Sequence, residues 1–219
     1  MKEFKIRCSA IGKIMTNARS KTETLSKTTK SFLEEWSKEQ IYNRRKEIFS
    51  KYLDKGNAVE VDSLNFIAKE LDYTSLEKTE QSFENGFLTG TPDAILDNHI
   101  IDVKNSWDCF SFPLYFNSVP NKDYYWQAQG YMALTDIDRY KLIYTLMDTP
   151  EELIQREYFG DESTDLVEFA SKYKYSNIDS RYRIKVFEIY RNEEDIRKIY
   201  DRVEECRSYL KSLWVDLNF

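Results

Sequence analysis

The sequence predicts an α/β fold in one domain, with a mixed central β-sheet flanked by helices. Segments with apolar residues at helical spacing alternate with short apolar runs that are typical of strands. The length of 219 residues suits one domain, which we assign to residues 1–219. Hydrophobic residues make up 41% of the chain, so a domain of this size can bury a sizeable core.

The N-terminal half predicts helices followed by strands. Two charged segments repeat apolar residues at helical spacing, which favours amphipathic helices. A stretch near 18–30, rich in Ser, Thr and Lys, predicts a flexible surface loop. The expected elements are a short helix over 7–17 after a brief strand, helices over 31–53 and 55–71, and strands near 78–84, 86–96 and 99–105, the last two joined by a turn.

The C-terminal half predicts strands between helices. A helix is expected over 122–135, strands over 139–147 and 182–190, and a partly helical polar region over 150–180. The last helix, over 192–217, repeats apolar residues at three-four spacing. This spacing is typical of a coiled-coil seam, and also of a helix packed on its own sheet, which is the more common case.

The overall charge narrows the class of protein. The net charge is -6 and the isoelectric point is near 5.1. Proteins that coat nucleic acid are usually basic, so the sequence argues against that class. A DNA enzyme remains open, because bound metal ions and a local basic groove can offset acidic surface elsewhere.

The cysteines and the hydropathy pattern bear on the location of the protein. Cys8, Cys109 and Cys206 are far apart and form no metal-binding pair, which argues against structural zinc. Free thiols are typical of cytoplasmic proteins, so we expect a cytoplasmic location. No apolar run is long enough to span a membrane, and we expect no membrane partner.

Charged residues interrupt the apolar segment TGTPDAILDNHIIDVKNS at 89–106. Asp102 and Lys104 are two residues apart, so on a strand they point to the same face. Pro92 fixes a local bend, and a short hairpin would bring Asp93 near Asp102. Two neighbouring carboxylates repel each other unless a proton or a cation separates their charges. Their oxygen atoms suit Mg²⁺, or alternatively Mn²⁺, so the segment predicts a metal site.

A third carboxylate, that of Glu60, falls on the inward face of the helix predicted over 55–71. A buried, unpaired Glu is costly, and a metal or Lys104 would remove that cost. A metal here could polarise a phosphodiester and lower the pKa of a bound water. Lys104 could then orient that water or stabilise the developing negative charge. A purely structural ion-pair network is the alternative that these residues leave open.

These motifs, in this order, resemble those of the lambda-type phage exonucleases, also called YqaJ-like viral recombinases, in the PD-(D/E)xK nuclease superfamily. The resemblance covers about residues 5–147. It rests on Gly56 with Glu60, Thr91-Pro92-Asp93, Asp102-Val103-Lys104 and the segment WQAQGYM. It implies a restriction-endonuclease-like core and a metal-dependent deoxyribonuclease. The implied reaction is 5′-to-3′ digestion of linear duplex ends, which leaves 3′ single strands for phage-type recombination.

The resemblance also implies roles for individual residues. Asp93, Asp102 and the backbone carbonyl of Val103 would hold the metal, and Glu60 would bind the metal or its water. With Lys104, these positions would form the catalytic group.

Four further residues are candidates for DNA contacts. Gln127 and Tyr131 lie four residues apart on one helix face and match the family's Gln-x-x-x-Tyr element, which would contact DNA or the lysine. Ordinary helix packing explains the same pair. Ser9 is placed to cap a helix, and a helix N-terminus with Ser9 and Arg7 could bind a 5′-phosphate. Simple capping by Ser9 is the more common arrangement.

The resemblance implies partners as well, and a location in the cytoplasm of the bacterial host if a phage encodes the chain. The partners are double-stranded DNA ends, a single-strand annealing protein and two further copies of the chain in a ring-shaped trimer. An endonuclease of the same superfamily and a non-catalytic DNA-end or protein-binding module are the alternatives. A nuclease with an iron–sulfur cluster would need four cysteines, whereas this chain has three.

Overall fold

The computed structural model describes residues 2–158 and 165–217, and it confirms the α/β fold class. Part of the predicted polar region, residues 159–164, and both chain ends lie outside the described residues. The strands are β1 Ile6–Arg7, β2 Phe83–Glu84, β3 Leu88–Gly90, β4 Ala94–Leu96, β5 His99–Asn105, β6 Arg139–Thr145 and β7 Ile184–Tyr190. The α-helices are α1 Ile11–Ile14, α2 Lys27–Tyr42, α3 Lys51–Ala58, α4 Glu60–Glu70, α5 Lys122–Thr135, α6 Glu151–Glu157, α7 Leu166–Ser171 and α8 Glu193–Asp216, and short 3-10 turns lie at Cys8–Ala10 and Ser180–Tyr182.

The β-structure forms two mixed sheets, whereas the sequence suggested a single central one. The first sheet has the order β1-β3-β2, with β1 parallel to β3. The second has the order β4-β5-β6-β7, in which β5 and β6 are parallel and the outer pairs antiparallel. The strand predicted over 86–96 is interrupted at Thr91–Asp93. Pro92 has no N–H to donate to a ladder, so the chain leaves the first sheet there and enters the second.

A tight hairpin sets the register of the strand that carries Asp102. Asp97 and Asn98 both have positive φ angles, 47° and 61°, which is the conformation of a two-residue type I′ turn. This confirms the predicted turn. The turn pairs Ala94 with Ile101, so Asp93 comes level with Asp102 on the neighbouring strand.

The side chains of β5 alternate between two environments. Ile101 and Val103 pack with Leu64 of α4 in one hydrophobic cluster. Asp102 and Lys104 point to the opposite face, where they contact side chains of α5. The two-residue period predicted this arrangement.

Helix α5 has the predicted bounds and lies between the two sheets. Its residues from Trp126 to Met132 are buried without interruption, so it has no solvent-facing side in this stretch. The side chain of Asn121 accepts the N–H of Asp123 at the start, and Asp136 ends the helix in the left-handed region with a φ of 58°. The buried position of α5 makes it the support for the charged face of β5.

Replacing Gly130 with alanine should destabilise the protein by about 1–3 kcal/mol, because the added methyl overpacks the core. The new Cβ would meet Cδ1 of Ile11 and lie 3.1 Å from Sγ of Cys8. Both neighbours are almost fully buried and have little room to move. Urea denaturation gives the change in the free energy of unfolding.

The matched control is Gly56→Ala in α3. An added Cβ at Gly56 would have no neighbour within 4 Å in the part of the chain that the structure describes, so this variant should gain about 0.5–1 kcal/mol from its higher helix propensity. Equal effects of the two substitutions would contradict the packing described around Gly130.

The N-terminal helices differ from the predicted ones at their ends. Helix α2 begins at Lys27, inside the predicted loop, because the Ser26 hydroxyl accepts the N–H of Thr29. It ends where Asn43 adopts a left-handed φ of 49°, so the predicted helix over 31–53 is interrupted. The helix predicted over 55–71 is divided at Val59 into α3 and α4.

The final helix packs on its own chain. Ile199, Val203, Cys206 and Leu210 of α8 are buried in the main hydrophobic cluster. The coiled-coil interpretation is therefore not needed for this stripe. In the part of the chain that the structure covers, no helix combines the length and the apolar character needed to cross a membrane.

Candidate active site

The charged face of β5 carries a buried ion pair. Asp102 is 1% exposed, and its Oδ2 contacts Nζ of Lys104. Its Oδ1 accepts a hydrogen bond of 2.8 Å from Nε2 of Gln127 on α5. Both oxygens of the Asp102 carboxylate therefore have protein partners.

Asp93 lies beside this pair because the edge strand begins one residue later. β4 starts at Ala94, so the N–H of Val103 has no strand partner at this level. Oδ2 of Asp93 accepts that N–H at 2.8 Å. The N–H and C=O of a strand residue point to the same edge, so the carbonyl of Val103 also faces this edge. The site thus lies on the internal strand β5, next to the start of the edge strand β4.

The charges of the site do not balance. Burial, and then the charge of Asp102, raise the pKa of Asp93 to about 7, although Lys104 and the N–H of Val103 act against the rise. Burial lowers the pKa of Lys104, but the charges of Asp102 and Asp93 outweigh this effect and leave it raised. One lysine thus faces two carboxylates, and an added cation would remove the remaining repulsion.

Glu60 does not join the two aspartates. It is the first residue of α4, because the helix divides at Val59, and its Oε2 pairs with Nζ of Lys78 at 2.6 Å. Within residues 2–158 and 165–217, no three His, Cys, Asp or Glu side chains are grouped so as to hold a metal ion. Glu60 still lies close enough for its charge to raise the pKa of Asp93.

The residues that do converge fit a hard divalent cation. Two carboxylates and a main-chain carbonyl are oxygen donors of the kind that Mg²⁺ and Mn²⁺ bind. Burial, and then the charge of Asp102, raise the pKa of Asp93, so a cation bound beside it would stabilise its charged form. The donors would be Asp93, Asp102 and the carbonyl of Val103, and Glu60 could take part only after separation from Lys78.

Gln127 and Tyr131 point into the protein. Both are 5% exposed. Gln127 contacts Asp102, the partner of Lys104, and the Tyr131 hydroxyl donates to the carbonyl of Thr91 at 2.8 Å. In this arrangement the Gln-x-x-x-Tyr pair supports the carboxylate and the segment that leads to Asp93. A DNA contact by either residue stays a prediction.

Ser9 is not a helix cap, so that prediction is wrong. Arg7 occupies the N-cap position of the turn Cys8–Ala10, where no side chain of the described residues makes a cap hydrogen bond. Ser9 lies inside the turn, which is too short to align peptide dipoles over several turns. Both side chains are exposed, and their contact with a 5′-phosphate stays a prediction.

Two tyrosines lie at the site but were not predicted from the sequence. The ring centroid of Tyr124 lies 5.0 Å from Nζ of Lys104. Tyr124 is three residues before Gln127, so helical spacing could have found it. Tyr140 is buried beside the site, and burial, followed by the charge of Asp102, raises the pKa of its hydroxyl.

The end of β5 is anchored by a partly buried amide. Oδ1 of Asn105 accepts hydrogen bonds from the hydroxyls of Ser63 on α4, at 2.7 Å, and Thr145 on β6, at 2.6 Å. These contacts fix the residue next to Lys104, and they join elements that are distant in sequence. The sequence offers no local signal for such a network.

A buried lysine anchors the chain just beyond this amide. Nζ of Lys55 donates to the carbonyls of Trp107, at 3.0 Å, and Met147, at 2.7 Å. Burial lowers the pKa of Lys55 to about 8. A lysine on a charged amphipathic helix predicts solvent exposure, so the sequence did not indicate this role.

Solved structures resemble this chain over nearly its whole length. A phage-related exonuclease from Haemophilus somnus 129PT has 28% identity and a TM-score of 0.81, and the match covers 99% of this chain and 97% of that one. An alkaline exonuclease from Laribacter hongkongensis has 16% identity and a TM-score of 0.66, with 98% and 91% covered. The same exonuclease in complex with dAMP gives a TM-score of 0.64 at 15% identity, with 98% and 93% covered.

These similarities confirm the resemblance predicted from the motifs. The Laribacter structures support the fold alone, because their identity to this chain is low. No protein-family model matches the chain, and no curated protein matches it.

Proposed function

We propose that this chain, which has the fold of the lambda-type phage exonucleases, is a Mg²⁺-dependent nuclease that digests linear duplex DNA from its ends. The proposed polarity is 5′ to 3′, which leaves 3′ single strands for recombination. Mn²⁺ is the alternative ion. The similarity to a phage-related exonuclease, at 28% identity over 99% of this chain, supports the reaction class.

The observation that carries the proposal is the group formed by Asp93, Asp102 and Lys104. Asp102 and Lys104 share one face of β5, and the Asp93 carboxylate adjoins them at the point where the edge strand begins. A bound Mg²⁺ would polarise the scissile phosphodiester and lower the pKa of an attacking water. A structural ion pair needs only one carboxylate, whereas the second one here raises the electrostatic cost.

The residues of the chain would divide the remaining work. Asp93, Asp102 and the carbonyl of Val103 would supply the oxygen ligands. Lys104, which keeps its proton because its pKa is raised, would orient the water or stabilise the charge that develops on the phosphate. Gln127 would keep the Asp102 carboxylate in the required orientation through its hydrogen bond.

The proposed partners follow from the substrate. An acidic chain has modest affinity for duplex in general, so recognition of an end must depend on local contacts, with Ser9 and Arg7 as candidates for the 5′-phosphate. A single-strand annealing protein would receive the 3′ strands. A homotrimer around the DNA is the proposed assembly.

The substrate test compares linear duplex with covalently closed circular duplex of the same sequence, each with Mg²⁺. We expect the linear form to be digested and the closed circle to remain intact. Label at the 5′ or the 3′ end reports the polarity, and matched ends with and without a 5′-phosphate report end recognition. EDTA serves as the control and should stop digestion.

Each of the other outcomes assigns a different function. Efficient cleavage of closed circles would indicate the endonuclease of the same superfamily. Binding of ends without cleavage, with Mg²⁺ or Mn²⁺, would indicate the non-catalytic module. Release of label first from the 3′ end would contradict the proposed polarity alone.

A further inference from the structure

We propose that Tyr124 is a positioning residue for Lys104: its aromatic ring holds the lysine ammonium beside Asp102 through a cation–π contact. The catalytic consequence rests on the proposed nuclease function. The positioning of the ammonium by the ring is argued from the contacts of Tyr124 alone.

The ammonium of Lys104 has a carboxylate and an aromatic ring as neighbours. Nζ contacts Oδ2 of Asp102 and lies 5.0 Å from the ring centroid of Tyr124. The negative face of an aromatic ring attracts a cation within about 6 Å, and the attraction grows as water is removed. The Lys104 side chain is 22% exposed, so much of the surrounding water is already excluded.

The ring of Tyr124 is held in place by a row of aromatic side chains. It makes an edge contact with Tyr144, at 6.3 Å between centroids, and Tyr144 makes another with Phe187, at 5.9 Å. Tyr144 is the register partner of Lys104 on β6. Tyr124 itself stands in the first turn of α5, which Asn121 caps. The ring is therefore supported from both the helix and the sheet.

The chemistry of lysine explains why a ring suits this place. An ammonium on a flexible four-carbon stem can adopt many positions, and fixing it costs entropy. A second carboxylate would fix it, but would add to the repulsion between Asp93 and Asp102. The ring fixes the ammonium through its face and occupies no hydrogen-bond donor. Of the three N–H donors, those not directed at Asp102 stay free for a water or a phosphate oxygen.

The test uses variants that separate the aromatic ring of Tyr124 from its hydroxyl and from its size. Tyr124→Leu should lower kcat on linear duplex about 2- to 30-fold with little change in KM, whereas Tyr124→Phe should retain the wild-type rate. Phenylalanine analogues with one, two and three fluorine atoms at position 124 should lower kcat step by step at constant melting temperature. Fluorine withdraws charge from the ring face, and a purely structural role would not follow that series.

Tyr73 supplies a matched control. Its ring centroid lies 5.4 Å from Nζ of Lys141, and Lys141 pairs with Ile101, which faces away from the site. Tyr73→Leu should lower the melting temperature but leave kcat unchanged. Equal loss of kcat in Tyr124→Phe and Tyr124→Leu would overturn the inference in favour of the hydroxyl. A flat fluorine series would overturn it in favour of packing.

A second measurement separates this inference from the proposed function. The rate of Lys104 acylation by an amine reagent, followed by peptide mass spectrometry, does not depend on DNA cleavage. Acylation should be faster in Tyr124→Leu than in the wild-type and Tyr124→Phe proteins, because the ammonium is no longer held. If the wild-type protein cuts no DNA, the nuclease proposal fails, and this rate alone decides the role of Tyr124. Equal rates of Lys104 acylation in all three proteins would contradict the positioning role of Tyr124.

Discussion

Replacing Asp93 with asparagine should lower the turnover of linear duplex at least about 100-fold, because a charged ligand of the proposed Mg²⁺ site is lost. The fold should survive, since an asparagine oxygen can still accept the N–H of Val103 that Oδ2 of Asp93 accepts at 2.8 Å. Turnover is measured with end-labelled duplex and Mg²⁺. Mg²⁺ affinity, measured by calorimetry without DNA, should fall in the same variant.

The same substitution should make the metal-free protein more stable at pH 8. The pKa of Asp93 in the folded chain is raised from 3.8 to about 7, so the folded state holds more protons than the unfolded state between these values. Stability therefore declines as the pH rises through that window, and the decline is complete above the folded pKa. Asp93→Asn removes this contribution, and thermal unfolding in EDTA at pH 5 and pH 8 measures it.

Asp97→Asn is the matched control for Asp93→Asn. Asp97 is exposed, lies in the turn of the same hairpin and has a φ of 47°, a conformation that asparagine adopts readily. The turnover of Asp97→Asn, and the pH dependence of its unfolding, should equal those of the wild-type protein. Full turnover of Asp93→Asn in Mg²⁺ would reject Asp93 as a metal ligand.

Asp102 is less suited to this test. Repulsion from Asp93 by itself suggests that Asp102→Asn would stabilise the metal-free protein. The structure reverses that expectation, because Asp102 is the buried partner of Lys104. Removal of one member of a buried ion pair leaves the other charge uncompensated. A loss of activity in Asp102→Asn would thus mix catalytic and structural effects.

Replacing Lys104 with methionine should lower turnover about 100- to 1000-fold while the affinity for duplex ends changes little. Methionine keeps most of the length of the side chain and its packing near Tyr124, and it removes only the ammonium. Single-turnover cleavage with Mg²⁺ and end binding with Ca²⁺ in place of Mg²⁺ separate the two quantities.

Lys141→Met is the control for the lysine substitution. Lys141 also lies near an aromatic ring, that of Tyr73, but on the opposite face of the sheet. Its removal should leave turnover unchanged. If binding and turnover fall together in Lys104→Met, Lys104 holds the substrate, and the proposed role at the water or the developing charge is wrong.

The site could be predicted from the sequence wherever its geometry is local. Asp102 and Lys104 share a face because a strand has a period of two residues. Asp93 stands opposite Asp102 because a two-residue turn sets the hairpin register. Both relations depend on backbone geometry over about ten residues, which a motif of that length already specifies.

The positions of Glu60 and Ser9 could not be predicted in the same way. Glu60 falls on an inward face only if 55–71 is one helix, and the division at Val59 directs its carboxylate to Lys78. Ser9 could cap a helix only if that helix began at Ala10. The chain instead forms a 3-10 turn over Cys8–Ala10, which includes Ser9. Helix ends depend on small energy differences that contacts from distant segments can reverse.

The sequence by itself determined the α/β class, the hairpin that carries the two aspartates, the bounds of α5 and the common face of Asp102 and Lys104. Each follows from hydrophobic periodicity or turn chemistry within one segment. The tertiary structure decided that the strands form two sheets, that Gln127 bonds to Asp102, that the Tyr124 ring lies by Lys104, and that Lys55 is buried. These contacts join residues far apart in the chain, and the packing of the whole core selects them.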